Sequence, residues 1–408
     1  MTKRKRTKAF LSDVVVNTIA FGIYMVAYHI IMLPWMADTL SVDDNARWLL
    51  YLMLASVIYN SLGYMLGNLY QIQIGRGQTE NTVSDVNTLR IRTNLLLLVI
   101  FPVLLLLGFN VTESLFFTLT TILSNERSYL QAVLRQKRRY GAIAGGNIAY
   151  LLGSVIGLIL FRFVSQQIWI PVFVAELLVV LYSLVQEKEF TLKPNKPSSE
   201  FTVTRKEYFD LTSSSLLANI PTYGDKILIL PLLGSYAMSS YYAGSALSKV
   251  LMLLVNPING VILSWLSAST GDRNKIVRRS MRLNIVLVAL ILIVTVPVIY
   301  IATRLLYSQF LATVIPIIIP LALDSTFAVS TTILRTIYLR YFNLGSLKYI
   351  NILKIVSFAL LSVIGAYLGG LVGFAYGKAI STVLIWIVYY FVMSQNTRVD
   401  AEESVDTF

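Results

Sequence analysis

The sequence predicts an all-α polytopic membrane protein of about twelve transmembrane helices, and three observations predict it. Apolar stretches long enough to cross a bilayer recur along the chain, since about 20 helical residues at 1.5 Å rise span the ~30 Å hydrocarbon core. Of 408 residues, 56% are hydrophobic and 13% charged, whereas a soluble domain carries about 25% charge. Finally, the basic residues fall between the apolar stretches in an alternating pattern. The formal charge of +13 therefore reads as a topology signal, with no nucleic-acid partner expected.

The first span, 10–33, follows the basic Met1 to Lys8 and runs past residue 30 without a small-residue cleavage site, so a retained helix is expected. His29, beside Pro34 and Trp35 near its outer end, reads as an interfacial anchor. Spans 47–71 and 93–109 come next. The fourth, 112–134, places Arg127, Gln131 and Arg135 on one face beside Asn125 and Glu126. Glu126 and Arg127 point about 100° apart on a helix and so need different partners. The fifth span, 141–163, carries Gly153 and Gly157, and the sixth, 166–186, carries Glu176 as an isolated carboxylate.

A polar stretch with Pro194 and Pro197, 187–207, has linker composition. It divides the chain into an N-terminal six-helix bundle, 1–186, and a C-terminal one, 208–394, followed by an acidic tail, 395–408. In the seventh span, 208–234, Ser215, Asn219, Thr222 and Lys226 share a stripe, with Asp225 adjacent and Pro221 placed to kink the helix. The eighth, 238–269, aligns Tyr242, Ser245, Lys249, Asn256 and Asn259 on one face, with Pro257 near its inner end. Spans 281–303, 309–334, 349–368 and 371–394 complete the set, carrying Asp324 in the tenth, Lys354 in the eleventh and Lys378 in the twelfth. Ser154 to Gly157 in the fifth span recurs as Ser362 to Gly365 in the eleventh, a trace of duplication about an axis along the membrane normal. The pairs Gly153/Gly157, Gly365/Gly369 and Gly373/Gly377 suit close helix packing.

With the first residues in the cytoplasm, inner segments hold 26 of the 34 Lys and Arg residues and outer ones three, while Arg127, Lys226, Lys249, Lys354 and Lys378 lie inside spans. This asymmetry follows the positive-inside rule. A cation near mid-bilayer costs roughly 2.5 to 3.5 kcal/mol on insertion scales, so five of them imply ion partners or an aqueous cavity, and hence transport of something anionic. Asp225, Asp324 and Glu176 are candidates for coupling to an H⁺ or Na⁺ gradient, no other cofactor being expected. The absence of cysteine excludes disulfides and thiolate metal sites. No phosphate-binding glycine loop, metal-ligand cluster or nucleophile with an attendant base is present, so neither catalysis nor ATP-driven pumping by this chain is expected.

Gly224-Asp225-Lys226 followed by Leu233-Gly234, the run Tyr241 to Lys249, the basic N-terminus and the basic turn after the fourth span resemble the polysaccharide transport (Wzx-like) branch of the multidrug/oligosaccharidyl-lipid/polysaccharide flippase superfamily. The resemblance implies two six-helix bundles around a central cationic cavity and alternating access in the bacterial plasma membrane, with both termini cytoplasmic. Its implied cargo is an undecaprenyl-pyrophosphate-linked oligosaccharide repeat unit, and its implied partners are membrane lipids, a polymerase and other polysaccharide-assembly proteins. Asp225, Lys249 and Arg127 would then be cavity residues, with Lys226, Tyr242, Ser245 and Asn256 also lining the substrate path. The first helix bears only Asp13 and His29 as ionisable residues, so the first-helix arginine of related lipid II flippases has no counterpart here. The alternatives are a multidrug exporter, which would favour acidic cavities, and a membrane glycosyltransferase or polymerase, which would need a larger extramembrane site than these short outer loops provide.

Overall fold

The computed structural model describes residues 15–75, 80–187, 197–268, 273–341 and 345–403; the side chains of 75, 80–82, 247–268, 273, 275–276, 336, 339–341, 345–348 and 396–403 are outside this description. All regular structure among these residues is helical. The helices are α1 (Val15–Thr39), α2 (Val42–Ile74), α3 (Val83–Leu106), α4 (Val111–Gln136), α5 (Tyr140–Phe163) and α6 (Ile170–Gln186). Phe201–Ala268 follows as one element, broken only at Gly234, whose φ of 83° suits glycine. We call its parts α7 (201–233) and α8 (235–268). Next come α9 (Arg273–Leu306), α10 (Ser308–Arg335), and Gly345–Glu403, broken at Gly369 and Gly370 into α11 (345–368) and α12 (371–403). Helix α7 keeps helical dihedrals through Pro221, and the non-helical break falls at Gly234.

Both glycine breaks are hairpins. Lys226 Nζ lies 5.5 Å from the Tyr241 ring and 5.9 Å from that of Tyr242, although a straight helix would separate these residues by more than about 20 Å. In the second hairpin, a Cβ at Gly365 would fall 2.1 Å from Gly373 O, and one at Gly377 2.1 Å from Leu361 O. Backbones approach this closely only where side chains are absent. The same device joins α5 to α6, where a Cβ at Gly153 would lie 2.7 Å from Ala175 Cα and one at Gly157 2.6 Å from Pro171 Cα. The repeated tetrapeptide thus places Gly157 and Gly365 in equivalent seams. Gly369, expected in a packing pair, would have nothing within 4 Å of an added Cβ and serves the turn instead.

The chain separates into two compact units, one formed by 1–39 and 47–223, the other by 40–46 and 224–408. A core of the first unit gathers Leu66, Leu69, Val86, Tyr129, Leu130 and Val180; one of the second gathers Val277, Met281, Ile333, Ile337, Ile385 and Tyr389. Apolar side chains such as Leu106, Phe163, Ile293 and Leu368 stand exposed, a surface that acyl chains cover in a multi-pass membrane protein.

Three boundaries differ from expectation. Helix α3 contains Arg90 and Arg92, which composition placed in a loop, and Arg90 is fully buried. Its segment reads as loop because its polar residues satisfy one another inside the fold, leaving little apolar periodicity. The basic stretch from Arg273 is the start of α9, and Phe201 already begins α7.

Candidate functional site

Each unit contains a buried charged site. In the first, Arg127 on α4 donates from Nε to Glu176 Oε2 on α6 at 2.7 Å. Its guanidinium lies 5.0 Å from the ring centroid of Tyr24 and 5.7 Å from those of Tyr59 and Tyr150. A carboxylate and three aromatic faces thus surround one cation, which offsets its desolvation. Glu126, one residue earlier, turns elsewhere, accepting from Arg90 Nη1 at 3.1 Å and from Asn94 Nδ2. Arg90 also donates to Asn87 at 2.7 Å. The expected divergence of Glu126 and Arg127 is therefore realised, whereas Glu176 is not isolated: its partner lies 49 positions away in sequence.

Gln131, on the same face as Arg127, donates to Asn147 at 3.1 Å, and Asn147 to the Ala20 carbonyl at 2.7 Å. The α7 stripe bonds to α2, with Asn219 donating to Ser61 at 2.9 Å and Ser215 to the Asn60 carbonyl at 3.3 Å. These polar residues hold helices together within the unit.

The second site centres on Asp225. Lys226 Nζ donates to both its oxygens, at 3.1 and 3.0 Å, and Lys378 Nζ on α12 to Oδ2 at 2.5 Å. Lys378 also pairs with Asp324 Oδ2 on α10 at 3.0 Å, and Thr382, one turn along α12, donates to Asp324 Oδ1 at 2.6 Å. Asp324, like Glu176, reads as isolated along its own helix and is paired across helices. The Tyr241 ring flanks both ammonium groups, at 5.5 Å from Lys226 and 5.8 Å from Lys378. The Asp225 and Lys226 side chains are wholly buried, while Lys378 and Asp324 keep 12% and 16% exposure. Tyr242 and Ser245 are buried, the Ser245 hydroxyl donating to the Tyr242 carbonyl at 3.3 Å. Lys226, Tyr242 and Ser245 thus stand inside the second unit in this conformation. The Lys249 and Asn256 side chains lie outside the described residues.

The two sites share a plan of opposite polarity. Arg127 and Glu176 join the fourth and sixth helices, and Asp324 and Lys378 join the tenth and twelfth. Glu176 and Lys378 each lie five residues beyond the point where their helix meets the glycine of the repeated tetrapeptide, Pro171 and Gly373 respectively.

Sequence reasoning missed Arg90, whose signal was Asn87 three residues earlier on the same helical face. It also placed His29 at an interface. That residue is buried within a π-helical turn, Val26–Met32, edge-on to Tyr28 with ring centroids 4.9 Å apart. An imidazole among apolar helices looks the same in one dimension whether it faces headgroups or protein.

No protein-family model matches the chain, and no curated protein does. Among solved structures, the chain is similar to the lipid II flippase MurJ in an inward closed conformation, with a TM-score of 0.67 at 13% identity over 96% of this chain and 90% of that one. It is likewise similar to an inward-facing multidrug resistance MATE family transporter of the MOP superfamily, with a TM-score of 0.67 at 13% identity over 95% and 98%. A third is the MATE transporter VcmN of Vibrio cholerae in its bent form, with a TM-score of 0.60 at 13% identity over 96% and 97%. Likeness at this identity carries the fold: an all-α, multi-pass membrane architecture shared with these transporters.

Proposed function

We propose that this chain is a flippase that moves a lipid-linked oligosaccharide with a pyrophosphate bridge across the plasma membrane by alternating access. The supporting observation is a set of cations inside the spans of a fold that it shares with a lipid II flippase. A pyrophosphate must shed water to cross, and Lys or Arg donors in a low-dielectric site replace that water. The pairing of Arg127, Lys226 and Lys378 with carboxylates sharpens the reading, because these cations can meet substrate only by exchanging a carboxylate partner. Lys249, on the face of α8 shared with Tyr242, Ser245 and Asn256, is the proposed direct contact.

The test is export of a fluorescent lipid-linked oligosaccharide from proteoliposomes. Lys249→Ala should lower the rate at least about tenfold at unchanged protein level, since a buried charge-assisted bond contributes roughly 1.5–3 kcal/mol. Lys249→Arg should keep part of the activity and Lys249→Glu should be the slowest. Full export by Lys249→Ala would remove that residue from the substrate path. Drug export is the second reading, favoured by the likeness to MATE transporters and by the Asp225 and Asp324 carboxylates. Uptake of a cationic dye without movement of the lipid-linked oligosaccharide would select it.

A further inference from the structure

Two carboxylates of the second unit, Asp225 on α7 and Asp324 on α10, each turn an oxygen toward one point, and the chain itself fills that point. Lys378 Nζ on α12 lies 2.5 Å from Asp225 Oδ2 and 3.0 Å from Asp324 Oδ2. The Thr382 hydroxyl lies 2.6 Å from Asp324 Oδ1 and 3.2 Å from the Lys378 carbonyl oxygen, so it ties the carboxylate to the turn that carries the lysine. Carboxylate and hydroxyl oxygens are the ligands that hard metal cations take. The charge is also that of an occupied cation site. Lys226 donates to both Asp225 oxygens, so one further positive charge neutralises the two carboxylates, and the Lys378 ammonium supplies it. Asp225 and Lys226 are wholly buried, whereas Lys378 and Asp324 keep 12% and 16% exposure. The cluster therefore opens at the Lys378–Asp324 edge, while the Tyr241 ring, edge-on to Phe374 at 5.7 Å, lies against both ammonium groups.

We infer that Lys378 is a tethered stand-in for a free monovalent cation: its ammonium holds the position between Asp225 and Asp324, so Na⁺ does not bind there and export does not need it. The transport half of this inference rests on the flippase reading above; the occupancy of the site does not. A tethered ammonium is present at an effective concentration that a solution ion must outcompete. An incoming Na⁺ would also shed its water and leave the ammonium unpaired in a low-dielectric site. Lys378 is thus the residue that sets ion specificity, and its removal should uncover the oxygen set for a metal ion of the same charge.

The test is thermal unfolding of the purified protein in NaCl and in choline chloride of equal concentration. Wild type should unfold at the same temperature in both. Lys378→Met keeps the stem and drops the charge, which leaves Asp324 with a hydroxyl alone. That variant should unfold lower in choline chloride and rise by a few degrees with Na⁺, saturating as the site fills. Lys378→Met/Asp324→Asn, balanced again by Lys226 and Asp225, should fold and show no Na⁺ response. A Na⁺-dependent rise in wild type, no rise in a folded Lys378→Met variant, or a rise that persists in the double variant would each overturn the inference. Should Lys378→Met fold in neither salt, Lys378→Gln, whose amide still bonds a carboxylate, replaces it in the same comparison. Proteoliposome export separates this from the parent reading. Equal wild-type export of the lipid-linked oligosaccharide in Na⁺ and in choline supports both. Export that requires Na⁺ overturns the tethered cation and leaves the flippase standing. No export, with the thermal pattern intact, overturns the flippase and leaves the tethered cation standing.

Discussion

At the residue scale, Arg127, Lys226 and Lys378 are held in ion pairs, which changes what a substitution does. Glu176→Gln leaves Arg127 without a counter-ion among Tyr24, Tyr59 and Tyr150, and removing one partner of a buried pair costs about 3–5 kcal/mol. The expected outcome is a large drop in unfolding temperature in detergent. The apolar double replacement Arg127→Met/Glu176→Leu should recover much of it, because no buried charge remains. A gain no greater than additive from the second substitution would show that the two side chains act independently. Asp324 is partly exposed and bound to both a cation and a hydroxyl, and on the proposed reading it is the carboxylate we assign to coupling with an ion gradient. Asp324→Asn keeps an acceptor for Thr382 and gives up the charge facing Lys378. We expect a folded protein whose export no longer responds to an imposed H⁺ or Na⁺ gradient, and an unchanged response would reduce Asp324 to a structural role.

At the element scale, the glycine seams decide which helices touch. A Cβ at Gly373 would sit 2.0 Å from the Gly365 carbonyl oxygen and one at Gly157 2.6 Å from Pro171 Cα, in each case against backbone that cannot rotate away. Gly373→Ala and Gly157→Ala should therefore each cost about 1–3 kcal/mol through forced backbone shifts, read as lost monodispersity and yield. Gly22→Ala, with nothing within 4 Å of the added atom, should behave as wild type. The paired seams, one in each unit, give the short repeat a structural meaning that its composition could not supply. The same holds for Glu176 and Lys378, which occupy matching positions with opposite charges.

At the scale of the whole molecule, orientation across the membrane rests on the 26 to 3 division of basic residues. With no native cysteine, single probes can be introduced directly. Exposed positions suit them best, whereas Ser198 is engaged by Asp85 through its backbone N–H at 2.8 Å and its hydroxyl at 2.6 Å. Asp43→Cys and Ser308→Cys should react with a membrane-impermeant maleimide in intact cells, and Ser199→Cys only after lysis. The opposite labelling would invert the molecule.

The sequence by itself determined the class of this protein, because bilayer thickness fixes how long an apolar helix must be and the cost of charge in hydrocarbon makes each intramembrane cation conspicuous. It also determined that Glu126 and Arg127 must diverge, since about 100° per residue is a property of any α-helix. Only the tertiary structure decided the partners: Glu176 for Arg127, Arg90 for Glu126, Lys378 for Asp225 and Asp324. Each of these contacts joins different helices, and helical periodicity specifies which face a side chain occupies without specifying which helix that face meets. Arg90 shows the limit most plainly, for a polar segment whose groups satisfy one another inside the fold has the same composition as a loop whose groups are satisfied by water.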